Sequence, residues 1–309
     1  MNCLIHPMLA TLVAGPFDRP GWVNEEKYDG VRALAYRMGK RIELFSRNLK
    51  EFTAEFPEIA HALADLPGGD FVLDGEIVAF DSHDVSRFQI LQRRALEEGI
   101  KPVFAVFDCL KLNGRPILKS ALRSRREAVE TLVPVNRGSL LLARRLSTNG
   151  FDAFKAAQAK GWEGIIAKDD SSCYEPGKRS RCWLKIKCRK ESEFVIGGYT
   201  APEGRRLHFG ALLVGLYDGR QLRFAGKVGT GYSAEVLADL AKKMAPIVTQ
   251  NSPFEPVPRE SNVTWLRPKL VAQIKFAEWT QEGKLRQPAF LGLRDDKNPS
   301  ECLWREREG

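Results

Sequence analysis

The sequence predicts an α+β fold in two domains, residues 1–188 and residues 189–309. Strand and helix patterns alternate through the first of these ranges, whereas short strands dominate the second. The chain has 309 residues, of which 43% are hydrophobic, and this is enough apolar material for two cores. Charged residues make up 28%, an ordinary share for a globular protein.

The first domain combines apolar strand patterns with helical ones. Strands are predicted at residues 41–46, 71–80, 103–107, 164–167 and 183–187. Three helices are predicted from apolar residues on one face: Phe52, Phe56, Ile59 and Leu63; Leu122, Val129 and Leu132; and Phe151, Phe154 and Gln158, with an end at Gly161.

The second domain is predicted to be a small β-barrel. Strand patterns occupy residues 193–200, 209–218, 221–229 and 271–280. One helix interrupts them, with Ser233 as its N-cap and with Leu237, Leu240 and Met244 on one face. About five strands with one helix are typical of an OB-fold. Residues 249–259, rich in proline and polar residues, are predicted to form a surface loop.

The charge pattern indicates a polyanionic partner. The formal net charge is +9, and seven of the thirteen residues at 178–190, KRSRCWLKIKCRK, are cationic while none is acidic. A soluble protein that simply has a basic surface would explain the net charge equally well. The six cysteines form no CxxC pair, which argues against a zinc site. The N-terminus lacks a signal-peptide pattern and no apolar run could span a membrane, so a cytoplasmic location is expected.

Six short motifs follow one another along the chain. Residues 26–32 read EKYDGVR, and KxDG alone also fits a surface turn with a solvated lysine. The others are Ser46-Arg47-Asn48, Asp74-Gly75-Glu76, Phe107-Asp108, EGIIAK at residues 163–168 and WLKIK at residues 183–187. Near the C-terminus, residues 294–297 read RDDK. The order and spacing, rather than any single match, make these motifs specific.

If Lys27 of the KxDG motif acts as a nucleophile, a mechanism must remove its proton, because free lysine has a pKa near 10.4. Lys185 and Lys187 are two residues apart in a predicted strand and therefore share a face. If that face looks at Lys27, we expect their charge to depress its pKa and to neutralise phosphates. Alone, this strand would equally fit an exposed amphipathic edge.

Two acids lie in apolar surroundings. Glu76 is in an otherwise apolar strand, and Glu163 directly precedes the apolar run GIIA. A buried, unpaired carboxylate is costly, so each requires a cation or hydrogen-bond donors. Mg²⁺ or a ribose would serve, and so would a salt bridge to lysine or arginine.

The motifs together resemble those of the covalent nucleotidyltransferases, which comprise DNA ligases, RNA ligases and mRNA capping enzymes. The resemblance implies a nucleotidyltransferase (adenylation) domain of antiparallel sheets and helices, followed by an OB-fold domain. It implies that Phe107 stacks on adenine, although a core phenylalanine is the alternative, and that Glu25 binds the adenine amino group. The further implied roles are phosphate and ribose contacts for Arg32 and Arg47, ribose and metal binding for Glu76 and Glu163, pyrophosphate contacts for Arg294 and Lys297, and organisation of the lysine loop or the metal for Asp29.

Within this superfamily the chain looks most like the ligase module of bacterial DNA ligase D and its stand-alone relatives. The resemblance implies ATP and Mg²⁺ (or Mn²⁺) as cofactors, nicked duplex DNA as substrate, and a monomer that acts in break repair with a Ku-like partner. A hinge near Arg189 and Lys190 would let the second domain move between steps. The rival interpretations are a capping guanylyltransferase, an RNA ligase and a non-catalytic nucleic-acid-binding OB protein.

Overall fold

A computed structural model describes residues 4–94, 99–133, 138–188, 191–202 and 208–304. The chain divides into two compact units, Met1–Cys188 and Arg189–Gly309. The hinge expected at Arg189 and Lys190 lies outside the described residues. Within the described ranges, no helix combines the length and the apolar character needed to cross a membrane.

The first unit contains two sheets and their flanking helices. Its elements are β1 (Leu9–Leu12), β2 (Trp22–Lys27), β3 (Val31–Met38), β4 (Arg41–Ser46), α1 (Pro57–Ala64), β5 (Phe71–Val78), α2 (Phe88–Arg93), β6 (Val103–Leu112), β7 (Arg115–Pro116), α3 (Leu122–Leu132), β8 (Leu140–Leu142), α4 (Gly150–Ala159), β9 (Gly164–Asp169) and β10 (Arg179–Lys187). Sheet A has the order β1-β10-β9-β2, and sheet B the order β4-β3-β5-β6-β7. The pairing is antiparallel except for β1 with β10, in sheet A, and for β8, which lies parallel to β6.

Alternating side chains give each sheet two different faces. One face of sheet A, with Ile165 and Ile186, packs on Ala153 and Ala157 of α4. One face of sheet B packs against α1 and α3. The remaining faces meet in a third core, which contains Phe107 from sheet B and Trp183 from sheet A. The two sheets therefore face each other across this core, and their facing strands carry most of the motif residues.

Three sequence predictions for the first unit need correction. Helix α1 begins only at Pro57, because proline has no N–H and favours the first helical turn, although Phe52 and Phe56 are buried in the same core. Strand β6 continues beyond Phe107, which therefore lies within the strand and not at its end. Helix α4 is confirmed, but its buried face carries alanines, while Phe151 is 56% exposed.

The second unit is one antiparallel sheet with a helix and a small hairpin. Its elements are β11 (Glu191–Thr200), β12 (Leu212–Asp218), β13 (Gln221–Val228), α5 (Ala234–Met244), β14 (Val248–Thr249), β15 (Val263–Lys275), β16 (Glu278–Trp279), β17 (Leu285–Arg286) and β18 (Ala289–Leu293). The order is β13-β12-β11-β15-β14, with β18 also paired to β15. The cap at Ser233 is confirmed, since its side chain accepts a hydrogen bond from the Val236 N–H. Among the described residues, no strand pairing closes this sheet into the predicted barrel.

Candidate active site

The strand register of sheet A brings one acid and three lysines from distant parts of the sequence together. Lys27 of β2 lies opposite Gly164 of β9, which in turn lies opposite Lys187 of β10. Two residues further along these strands, Glu25 and Lys185 lie opposite Ile166 in the same way. Residues directly opposite in neighbouring strands point to the same face of a sheet. Lys185 and Lys187 therefore share the face of Lys27, as the sequence predicts.

The close approach of these strands depends on Gly164. A Cβ atom added to this glycine would lie 2.1 Å from the carbonyl oxygen of Ile186 in β10, far inside van der Waals contact. Only glycine therefore fits between the strands that carry Lys27 and Lys187.

The amine of Lys27 is surrounded by carboxylates. Its Nζ contacts Oε2 of Glu163. Burial alone lowers the pKa of Lys27, but the Glu163 carboxylate, and after it those of Asp29 and Glu76, outweigh burial and raise this pKa above its ordinary value. The expectation that the pKa of Lys27 is depressed is therefore wrong, because the neighbouring carboxylates outweigh burial at the amine.

The same carboxylates fit a divalent cation in the presence of a nucleotide. Glu76 is half-buried rather than buried, and Asp29 is 3% exposed. Within the described part of the chain, no group of three or more His, Cys, Asp or Glu side chains could hold a metal by itself. Mg²⁺ is commonly bound through one or two carboxylates together with substrate phosphates and water. The oxygen donors gathered around Lys27 suit such a partial protein site.

Sheet B contributes an arginine that is already paired. Nε and Nη2 of Arg32 lie 2.5 and 2.6 Å from the two carboxylate oxygens of Asp74. Tyr174 donates a hydrogen bond of 2.7 Å to the same carboxylate. The Arg32 guanidinium lies 4.6 Å from the ring centroid of Phe107. Arg32 is thus fixed against the Phe107 ring rather than extended toward solvent.

The predicted adenine platform, Phe107, is largely enclosed. The side chain is 9% exposed and packs edge-on against Trp183 at 6.0 Å between ring centroids. Lys168 Nζ lies 4.4 Å from the centroid of the Phe107 ring. Only a small part of the Phe107 ring is exposed to solvent.

Glu25 forms buried ion pairs that sequence reasoning missed. Its Oε2 lies 2.6 Å from Nζ of Lys168, and its Oε1 lies 3.3 Å from Nη1 of Arg126. The one signal in the sequence was Lys168 itself, an ionisable residue at the end of an apolar strand. Arg126 gave no signal, because a basic residue in an amphipathic helix usually faces solvent.

The three remaining predicted residues belong to other elements. Arg47 is partly exposed in the turn after β4, where Leu49 has a φ of +61°. Arg294 and Lys297 belong to the second unit. Arg294 is 7% exposed, and its Nε and Nη2 each lie 2.8 Å from an oxygen of Asp296. Lys297 lies 3.6 Å from Oε1 of Glu193.

On the opposite face of β2, Glu26 provides a pH-dependent contribution to stability. The residue is 3% exposed, and burial raises the pKa of its carboxyl from 4.5 to about 7, although Arg144 lies 3.1 Å away and partly offsets this rise. An acid with a raised pKa in the folded state makes folding less favourable as pH rises from 4.5 through 7.

We therefore expect Glu26→Gln to change the pH dependence of unfolding. The wild-type free energy of unfolding, relative to that of the variant, should fall by up to about 3 kcal/mol between pH 4 and pH 8. Urea titrations of both proteins at pH 4 and pH 8 measure this change in the free energy of unfolding. A difference between the two proteins that is the same at both pH values would contradict this expectation.

The fold and site together define a class. Two largely antiparallel sheets that face each other across a core, with a lysine amine among carboxylates and further lysines on its face, are the arrangement expected of a covalent nucleotidyltransferase. Residues 7–187 match the family model described as ATP dependent DNA ligase domain, and residues 205–297 match ATP dependent DNA ligase C terminal region. The chain belongs to the ATP-dependent DNA ligase family.

Individual relatives agree with this assignment. The chain is 42% identical over 303 residues to the multifunctional non-homologous end joining DNA repair protein LigD of Mycobacterium tuberculosis, covering 96% of this chain and 39% of that protein. It is 34% identical to a DNA ligase of Thermococcus onnurineus, and the match covers 92% of this chain and 53% of that protein. A solved mycobacterial DNA ligase D complexed with ATP and MES has a TM-score of 0.71 and 39% identity, covering 97% of this chain and 98% of that one. The chain thus spans well under half of the LigD relative.

Proposed function

We propose that this chain seals nicks in DNA through a covalent lysyl-AMP intermediate on Lys27. In the first step Nζ of Lys27 attacks the α-phosphate of ATP and pyrophosphate leaves. AMP then passes to the 5′-phosphate at a nick, and the 3′-hydroxyl displaces AMP to form the phosphodiester bond. The observation that carries this proposal is the contact between Lys27 and Glu163 on the face that Lys185 and Lys187 share.

The first step requires the amine to lose its proton. The negative charge of the carboxylates that raise the pKa of Lys27 must therefore be compensated when ATP binds. Lys185 and Lys187 supply positive charge on the same face and stabilise the charge on the phosphates. A divalent cation, Mg²⁺ or Mn²⁺, held by Glu76 and Glu163 would supply further positive charge to the carboxylates and the leaving pyrophosphate.

The other roles follow from the resemblance to the family. Glu25 accepts a hydrogen bond from the adenine amino group, and Phe107 stacks on the base. Arg32 and Arg47 contact ribose and phosphate, with Glu76 also on the ribose. Asp29 keeps the lysine loop in place. Its backbone N–H donates a hydrogen bond of 3.0 Å to Oγ of Ser86.

The second unit is proposed to close as an OB-fold and to present Arg294 and Lys297 to the pyrophosphate. The pairing of Arg294 with Asp296 supports this role, because a guanidinium fork that holds a carboxylate also suits a phosphate. Its movement between steps would require a hinge between the two units.

Arg294→Ala is expected to slow lysyl-AMP formation at least about tenfold more than it slows sealing of a pre-adenylylated nick, because pyrophosphate is present only in the first step. Single-turnover assays of the two steps measure the difference. Arg286→Ala removes an exposed arginine of the same unit, 2.6 Å from Glu278, and should affect neither step. Equal losses in both steps would contradict the role of Arg294.

The reaction itself is tested with a labelled nicked duplex. Sealing should require ATP, a 5′-phosphate and a 3′-hydroxyl, and α-labelled ATP should transfer label to the protein. Label from GTP in place of ATP would indicate a capping guanylyltransferase, and sealing restricted to RNA strands would indicate an RNA ligase. Duplex binding without covalent label would indicate a non-catalytic binding protein.

The cellular role proposed is DNA break repair in the bacterial cytoplasm, at the nucleoid, by a monomer that cooperates with a Ku-like end-binding protein. The similarity to end-joining relatives supports it. The exposed cations of residues 178–181 support contacts with DNA phosphates, so binding should weaken steeply as salt increases.

A further inference from the structure

Lys27 is the last residue of β2, which is the outermost strand in the order of sheet A. An outermost strand has one row of backbone groups that no neighbouring strand of its sheet satisfies. We propose that residues 144–147, here called the edge segment, cover that row, and that Arg144 is a positioning residue which holds Lys27 for attack on ATP. The proposal rests on the proposed function and identifies what fixes the geometry of its nucleophile.

The edge segment joins β2 through backbone hydrogen bonds. The N–H of Glu26 donates to the carbonyl oxygen of Arg144 at 3.2 Å, and the N–H of Leu146 donates to that of Asn24 at 2.8 Å. Nδ2 of Asn24, which is 3% exposed, also donates to the carbonyl oxygen of Ser147 at 3.0 Å. The edge segment therefore gives groups of β2 partners beyond those that its pairing with β9 supplies.

Arg144 contacts both chain neighbours of Lys27. Nη1 of its guanidinium lies 3.1 Å from Oε2 of Glu26, and its backbone N–H donates a hydrogen bond of 3.1 Å to the hydroxyl oxygen of Tyr28. Glu26 is 3% exposed and Tyr28 is 6% exposed. Because both neighbours are buried and bound to the same residue, the backbone at Lys27 has little freedom to turn or to shift.

Arg144 also lies beside the residue that precedes Glu163. Its guanidinium carbon is 5.7 Å from the ring centroid of the buried Trp162. A guanidinium within about 6 Å of a tryptophan ring is attracted to the ring. Glu163 follows Trp162 in the chain, and its carboxylate contacts the amine of Lys27. One side chain therefore connects the strand of the nucleophile with the segment that carries its acidic partner.

The loop after β5 binds the guanidinium as well. Nη2 of Arg144 forms an ion pair with Asp84. Two residues further along, the buried Ser86 accepts a hydrogen bond of 3.0 Å at its Oγ from the N–H of Asp29. The same loop thus contacts both Arg144 and the turn that follows Lys27. The residues before and after the nucleophile are therefore held by two segments that are themselves connected.

Loss of the Arg144 side chain should release β2 without unfolding the unit. The Glu26 carboxylate depends on Arg144 at Oε2, and among the described residues no donor forms a hydrogen bond with its Oε1. Burial already raises the pKa of Glu26 to about 7, so this acid can take up a proton when its counter-charge is absent. The contact that fixes β2 is nevertheless lost, and a displacement of about 1 Å at a reacting atom costs about a hundredfold in rate.

The test measures lysyl-AMP formation by Arg144→Met and Arg144→Lys in the full chain, with α-labelled ATP in single-turnover assays. We expect Arg144→Met to lower the rate constant at saturating ATP at least about tenfold, while the ATP concentration for half-maximal rate changes less than about twofold. Arg144→Lys keeps a positive charge for Glu26 and should recover most of the lost rate. Sealing of a pre-adenylylated nick should stay within about twofold of wild type, because the last step does not use the amine as nucleophile.

Arg145→Met is the matched control, because Arg145 is the next residue of the edge segment and is exposed. Its replacement should leave both steps at wild-type rates. A merely structural role for Arg144 would reduce lysyl-AMP formation and sealing to the same extent, and a role in ATP binding would change only the half-maximal ATP concentration. Either result for Arg144→Met, or a wild-type rate, would overturn the inference.

If Arg144→Met does not fold, Asp84→Asn takes its place. Asp84 is exposed and has a φ of +58°, a conformation that asparagine also adopts, so this change removes the ion pair and keeps the loop. It should slow lysyl-AMP formation about threefold with sealing unchanged, and a wild-type rate would overturn the inference. If the wild-type chain forms no lysyl-AMP, the proposed function fails and this inference with it. If the wild-type chain forms lysyl-AMP and the variant does so equally fast, the inference alone is overturned.

Discussion

Replacement of Lys27 by alanine is expected to reduce covalent labelling by α-labelled ATP at least about a thousandfold, because no other amine replaces a positioned nucleophile. Lys27→Arg should fail to the same extent, since a guanidinium does not lose its proton in proteins. Label that stays on the protein through denaturing electrophoresis at neutral or alkaline pH measures the effect. Sealing of a pre-adenylylated nick by Lys27→Ala should persist, because the last step uses the 3′-hydroxyl as nucleophile.

The matched control is Lys227→Ala. This lysine also pairs with a glutamate, at 2.8 Å from Glu260, but it belongs to the second unit. Its replacement should leave labelling at the wild-type level. Substantial covalent AMP label on Lys27→Ala would remove the residue from its central role.

The largest expected effect on stability comes from Asp108 in β6 and Arg125 in α3. Both side chains are 0% exposed, and the guanidinium holds the carboxylate through two contacts of 2.8 and 2.9 Å. Arg125 also donates to the carbonyl oxygens of Ser120 and Ser172. Asp108→Ala leaves a buried arginine without its counter-charge, so we expect the first unit to lose about 3–5 kcal/mol of unfolding free energy.

Amide hydrogen exchange in β6 measures this loss within the first unit alone. Asp218→Ala is the control, because its partner Arg223 lies at the same 2.8 Å but both side chains are more than 40% exposed. This exposed pair should contribute less than about 1 kcal/mol to exchange in β12. Comparable losses in the two variants would show that burial is not what makes the Asp108 pair important.

The parts of the fold that sequence predicted well are those set by local patterns. Strand β4 matches its predicted bounds, and Lys185 and Lys187 share a face because side-chain alternation in a strand depends only on spacing. The N-cap of α5 is equally local, since Ser233 bonds to a backbone N–H three residues away.

Packing decides the features that local patterns missed. In α4 the hydrophobic period pointed to Phe151, Phe154 and Gln158. Phe154 does pack against the core shared with β9, but Phe151 is exposed, and the buried residues are Ala153 and Ala157, whose small side chains allow a close approach. The spacing of hydrophobic residues depends on the size and polarity of side chains, and it does not predict how closely two elements pack. Closure of the second-unit sheet depends likewise on pairings between distant strands.

Long-range electrostatics explains the errors within the site. Lys27 and its contact Glu163 are 136 residues apart, and Arg126 is 101 residues from Glu25. The motifs identified which residues matter, but the sign of the pKa shift at Lys27 depends on which charges come closest. The sequence predicted lysines on the same face of the sheet as Lys27. It did not reveal that carboxylates determine the pKa of Lys27.

The most direct measurement of the central claim is to locate AMP on the protein. The wild-type chain is incubated with ATP and a divalent cation, digested, and its peptides are sequenced by mass spectrometry. The account predicts AMP in phosphoamide linkage to Nζ of Lys27. AMP on another residue, such as Lys168 or Lys185, or no covalent AMP on a protein that seals nicks, would contradict it.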